Sequence, residues 1–180
     1  MAIKTFTAGE VLTASDTNTY LANSGLVFIK QQTVGNAVSS VTVSSAFSAD
    51  YDNYKITYSA GVASNPVSIQ MVLGASVTGY YLGLIYVTYG LTTPTAASAS
   101  NAATWPYVGE GSTGSCNVDL DLFSPFLAKI TTVSGTYAGT VAGNINGYHN
   151  SAVSYSAFTL SVAGNTMTGG TITVYGYRKQ

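Results

Sequence analysis

From Leu26 to the end of the chain, apolar and polar residues alternate with a period of two, and turn-forming clusters interrupt the pattern every 8 to 12 residues or so. A period-two pattern places one set of side chains on one face of an extended strand and the other set on the opposite face. Repeated about ten times without an intervening helical pattern, it leaves few options besides an all-β domain with two facing sheets. The spacing predicts strands at 26–32, 38–43, 54–60, 67–73, 80–89, 116–122, 128–134, 137–145, 157–162 and 171–178. Turns are expected at Asn65-Pro66, Gly135, Gly143-Asn144, Asn146-Gly147 and Gly164-Asn165, whose residue types accept turn geometry. The interval 92–104 (TTPTAASASNAAT) is small, polar and aperiodic, and reads as a long surface loop.

The first 25 residues have a different texture. Thr13-Ala14-Ser15-Asp16 reads as a capping box, Tyr20 and Leu21 give an apolar side, and Asn23-Ser24-Gly25 gives a stop. The result is an expected helix of about ten residues, too short to be stable alone in water. It needs a surface to pack on. The organisation is therefore an N-terminal segment, 1–25, followed by a β-sandwich domain, 26–180.

Composition narrows function mainly by exclusion. Charged residues are 7% of the 180, with six Lys or Arg against seven Asp or Glu, so no basic stripe is present to neutralise phosphates and nucleic-acid binding is not expected. Ser and Thr supply 45 residues in the place of charges, and the apolar fraction of 46% is enough for a core. No apolar run is long enough to span a bilayer, and MAIKTFTAGEVL lacks the apolar centre of a signal peptide, so the expected place of synthesis is a cytoplasm without membrane insertion. The single cysteine, Cys116, cannot form an internal disulfide.

Catalytic groups are sparse. His149 is the only histidine, it lies in the turn-like stretch Asn146-Gly147-Tyr148-His149-Asn150, and no nucleophile-elbow sequence surrounds any serine. One Cys and one His cannot build a closed zinc site. Asp119 and Asp121 share one strand face while Val118, Leu120 and Leu122 share the other, which predicts a solvated face rather than a metal loop or a glycosidase dyad. Asp50 and Asp52 form the second such pair, and Gly109-Glu110-Gly111 reads as a turn. No cofactor, metal or catalytic residue is expected. The 14 tyrosines exceed what a core of this size requires, and Tyr and Trp are enriched where chains pack on one another or on carbohydrate. Trp105 reads either as a core or subunit-interface anchor or as a sugar-stacking platform, and Tyr107 and Tyr148 join it as candidate interface or glycan contacts.

Two stretches resemble known sequences. FTAGEVLTASDTNTYL at 6–21 resembles the FTAGEVLTASDVNTYL start of many virion proteins of tailed bacteriophages. MTGGTITVYGYR at 167–178 resembles the GTxTGGTIxVYGYR close of β-sandwich domains in phage virion proteins. The resemblance implies a jelly-roll-like antiparallel sandwich carried behind a short segment that docks on the particle, commonly in three copies. On that reading Phe6, Val11, Leu12, Tyr20 and Leu21 are docking residues, the partners are other virion proteins and further copies in a homotrimer, and the location is the virion. A minor tail or tail-fibre protein touching host-surface glycan and a capsid decoration or spike protein both fit it. A stand-alone carbohydrate-binding module and, behind it, a glycan-degrading enzyme are the readings from other classes.

Overall fold

The computed structural model describes residues 6–17 and 25–179. Strands carry nearly all of the regular structure: β1 (Leu26–Thr33), β2 (Ser40–Val43), β3 (Asn53–Ala63), β4 (Val67–Leu73), β5 (Tyr80–Thr88), β6 (Thr95–Ala102), β7 (Trp105–Gly111), β8 (Cys116–Phe123), β9 (Thr131–Ala138), β10 (Val141–His149), β11 (Phe158–Val162), β12 (Met167–Thr168) and β13 (Thr171–Tyr177). Every pairing is antiparallel.

The pairing traces two layers. The larger runs β1-β13-β3-β8-β9-β10-β5-β6, and the smaller runs β2-β11-β4-β7. They join at one strand: the first residues of β8, Cys116 to Val118, pair with β7, and the rest of the same edge, Asp119 to Phe123, pairs with β9. The period-two pattern explains why the layers face each other. Tyr54, Ile56 and Tyr58 of β3, Val118, Leu120 and Leu122 of β8, and Ile172 and Val174 of β13 are buried from one side. Ile69, Met71 and Leu73 of β4 with Phe158 and Leu160 of β11 meet them from the other, in one continuous core. The fold is an all-β antiparallel sandwich, as the alternation requires.

Several expectations are corrected. The interval 92–104 is not a loop: Thr95 to Ala102 form β6, the edge of the larger layer. Its inward positions include Ala97 and Ala99 and its outward ones Ala96 and Ser98, so the two faces differ little in hydropathy and the alternation is invisible in sequence. Gly135, Gly143 and Gly147 stand inside strands, where a Cβ would meet a neighbouring strand's backbone; at Gly135 it would lie 2.4 Å from the Asp119 carbonyl oxygen. The β9–β10 turn consequently falls at Gly139-Thr140. The stretch around His149 is the end of β10 rather than a turn, and Gly109, Glu110 and Gly111 belong to β7.

In the N-terminal segment the capping box is present: the Asp16 amide donates to Thr13 Oγ1 at 3.1 Å, and the Thr13 amide donates to the Asp16 carboxylate at 3.2 Å. The helix it starts, α1, spans Ala14–Asp16 among the described residues. The rest of the expected helix, with Tyr20 and Leu21, lies outside the described residues.

Candidate functional site

Three places bring together side chains that sequence reasoning singles out, and each is built differently.

The first is the described part of the N-terminal segment. None of α1 is buried, and the large side chains beside it stand in the open, Val11 at 80% exposure, Leu12 at 49% and Phe6 at 38%. Side chains of this size gain free energy on leaving water, so their exposure makes this segment a candidate contact surface.

The second is the outward face of the larger layer. Register aligns Asn53, Phe123, Thr132, Tyr148 and Tyr81 across five strands, with Leu26 beside Tyr177 at the β1–β13 edge. The Tyr81 and Tyr148 rings stack with centroids 4.7 Å apart and planes 3° from parallel. Trp105 lies beneath this pair: its indole N–H donates to the Tyr81 and Tyr148 carbonyls at 3.2 and 3.3 Å. With no exposed surface, Trp105 is a core anchor, which corrects the reading of its ring as a sugar-stacking platform. Tyr148 does present an exposed ring. On the same face Lys55 of β3 reaches Asp119 at 2.5 Å and Asp121 at 3.5 Å, and the Tyr177 hydroxyl donates to Asp121. The Lys55 ammonium titrates above its ordinary value: burial pulls it down, and the Asp119 and Asp121 charges outweigh that pull. Tyr177 is pushed up to about 12, first by its bond to Asp121 and then by burial. The aspartate pair thus faces outward, as its spacing predicts, with the Lys55 ammonium and the Tyr177 hydroxyl as its partners.

The third lies between the layers. β7 crosses from Trp105 to Gly111, and its two ends bury different polar groups. Near Trp105, His149 is fully buried among Tyr80, Tyr155 and Trp105. Its Nε2–H faces the Thr78 carbonyl at 3.0 Å and Ser76 Oγ at 2.9 Å, and its Nδ1 accepts from the Ser151 amide at 3.3 Å. Burial holds this imidazole below its ordinary pKa, against the opposing effect of those backbone bonds. Both nitrogens are satisfied, and the ring has no accessible face for chemistry.

At the other end stands Glu110, 5% exposed and the only buried acidic side chain among the described residues. A bulge between β4 and β7 sets its direction. Gly109 pairs with Ile69 and Trp105 with Met71, so three residues, Pro106 to Val108, oppose the single Gln70. Pro106, which has no N–H to give, sits in that bulge. Val108, the last residue of the bulge, and Glu110 share the inward face. Glu110 Oε1 accepts from the Thr140 hydroxyl at 2.5 Å, whereas Oε2 has no hydrogen-bond partner among the described residues. The carboxylate fits because residue 139 is glycine: a Cβ there would stand 2.6 Å from Glu110 Cδ.

Glu110 lines a cavity of about 230 Å³ with Tyr86, Tyr107 and Tyr137. Leu84, Ala97 and Val141 give it an apolar side, and Ser68 holds the Tyr137 hydroxyl at 2.8 Å. Burial raises the pKa of Tyr137, opposed by that bond. Of the residues singled out from sequence as contacts, Tyr107 alone reaches this cavity; Tyr148 is on the outward face and Trp105 in the core. Glu110 escapes sequence reasoning because a lone glutamate between two glycines looks like a turn. Its one clue is that Ser112-Thr113-Gly114-Ser115 follows directly and supplies a turn of its own, which leaves Gly-Glu-Gly to the strand before it.

Cys116 is buried, and burial raises its thiol pKa while a bond from Tyr58 opposes the rise, so it has the character of a core residue. No group of three or more metal-ligating side chains occurs among the described residues. Against known proteins the chain matches no family model, no curated protein and no solved structure.

Proposed function

We propose that this chain is a non-enzymatic virion structural protein of a tailed bacteriophage, attached to the particle through segment 2–25 and projecting its β-sandwich outward. The observation that carries the reading is the exposure of Val11 and Leu12 beside a capped helical turn, in a stretch whose sequence resembles the start of phage virion proteins. The local structure is specified by the segment itself, through the Thr13–Asp16 box, while its apolar side chains are left for a partner. The resemblance of 167–178 to the close of phage β-sandwich domains supports the same reading, because those residues form β12 and β13, the latter paired on both sides, with β1 and β3. Partners on this reading are other virion proteins and further copies of the chain in a homotrimer.

Between the two positions in a particle, the outward face favours an appendage that touches the host surface. The exposed Tyr148 ring, stacked on Tyr81, has Thr132 opposite it and Asn146 and Ser134 next along the same face, uncharged neighbours that suit neutral glycan better than a charged polymer. A capsid decoration protein is the second reading, and it requires no receptor face.

The test uses the full chain with Val11→Asp and Leu12→Asp together. The expected result is an unchanged melting temperature and loss of the protein from purified particles. Particles that incorporate the double variant normally overturn the docking role of this segment.

A further inference from the structure

Among the described residues one acidic side chain is buried, Glu110, and no described cation is paired with it. Of the chain's six basic residues, Lys55 is paired with Asp119 and Asp121, Lys179 with Asp52 at 2.7 Å, and Lys30 donates to the Ser44 carbonyl at 2.6 Å. No basic side chain of the described residues is ion-paired with Glu110. Thr140 satisfies one carboxylate oxygen; the charge itself has no counterpart. Burying a charge is costly unless it is paired, and an acidic group kept in that condition next to a cavity is poised for a positively charged ligand.

The walls select among cations. A calcium ion wants six to eight oxygens, and here one carboxylate stands among aromatic and aliphatic groups. Tyr86, Tyr107 and Tyr137 offer electron-rich rings, which attract ammonium groups and gain from their desolvation. Leu84, Ala97 and Val141 offer an apolar flank for a hydrocarbon stem. The carboxylate accepts hydrogen bonds, so a nitrogen that still carries hydrogens matches it better than a fully alkylated one. A neutral sugar hydroxyl could donate one bond but leaves the buried charge uncompensated. The volume of about 230 Å³ is ample for one small organic cation.

We propose that the cavity between β5, β7 and the β9–β10 turn is a binding site for a primary ammonium group on a short aliphatic stem, with Glu110 as its counter-ion and Tyr86, Tyr107 and Tyr137 as its walls. The site is separate from the N-terminal docking segment and from the outward tyrosine face, so it stands whether or not the chain belongs to a virion. A free alkylamine and the end of a lysine side chain carry the same chemistry, and both are within reach of the test.

The probe is n-pentylammonium chloride titrated into the full-length protein, followed by ¹H–¹⁵N NMR. The expected result is saturable shifts confined to amides around Leu84, Ala97, Glu110 and Thr140, with a Kd of about 1 mM or tighter. Pentan-1-ol, which keeps the stem and loses the charge, is expected to bind at least about tenfold more weakly, as is n-pentylammonium to Glu110→Gln. Ala97→Leu fills the apolar flank without touching the carboxylate and is expected to abolish the shifts; it carries the test if Glu110→Gln does not fold. Nα-acetyl-lysine methylamide separates the sources: comparable binding assigns the site to a protein side chain, and exclusion of it alone assigns the site to free amines. Absence of localised shifts up to about 50 mM probe, equal binding of pentan-1-ol, or undiminished binding to a folded Glu110→Gln or Ala97→Leu variant overturns the proposal.

Discussion

The two ends of β7 bury one polar group each, and they do so by opposite means. At the Trp105 end, His149 has a partner for both ring nitrogens and is enclosed by Tyr80, Tyr155 and Trp105. At the Gly111 end, Glu110 has a partner for one oxygen and borders a cavity. One strand thus runs from a sealed interior to an open one. The lesson is that burial alone does not mark a functional group. A buried polar side chain with complete partners specifies the packing around it, and one with incomplete partners marks where a ligand has something to gain.

The largest expected effect breaks the sealed end. Trp105→Ala removes a fully buried ring that also holds the Tyr81 and Tyr148 carbonyls, and the expected cost is about 4 kcal/mol. In a chain of this length that corresponds to a fall of roughly 10 °C in Tm by thermal unfolding. Tyr107→Ala at the open end is expected to cost about 1 kcal/mol, because its ring already borders a cavity. Equal losses at the two positions would remove the distinction between the ends.

The next effect sharpens the open end. Gly139→Ala places a methyl group 2.6 Å from the Glu110 carboxylate carbon and 2.9 Å from its Cβ, so either the turn or the side chain must shift. The expected loss is about 2 kcal/mol. In the Gly139→Ala, Glu110→Ala double variant the methyl group meets less of the side chain, so the two losses should fall short of their sum in a double-mutant cycle. Strict additivity would mean that the turn, rather than Glu110, dictates glycine at 139.

The sealed end is nearly as faint in the sequence as the open one, for a different reason. The alternation that places Val118, Leu120 and Leu122 inward and Asp119 and Asp121 outward is plain in the residues, and the sandwich follows from it. Where hydropathy contrast fades, the reading fails. Ala97 opposite Ala96 conceals β6, and Gly143 and Gly147 disguise the strand that ends at His149 as a chain of turns. Glycine marks both a turn and a close approach of neighbouring backbone, and only the third dimension separates the two. Glu110 was out of reach for the same reason: its inward direction comes from a bulge of three residues against one, which is a property of the pairing of β4 with β7 and is written in neither strand alone.

The smallest effect is a pH dependence confined to the sealed end. Burial holds the His149 pKa below its ordinary value of 6.5, so the unfolded chain takes up a proton at pH values where the folded chain refuses it. The stability tied to the neutral ring is therefore fully present above about pH 6.5 and is lost as the pH falls from there toward the folded-state pKa. His149 is the only histidine, so the difference between the Tm profiles of the unaltered chain and a His149→Gln variant, measured from about pH 7.5 down to 5, isolates this group. His149→Gln is expected to start with a lower Tm at neutral pH and to show a flatter slope across that window. If the slope survives the substitution, the proton is taken up elsewhere, and the sealed end is not the part of the molecule that acid opens first.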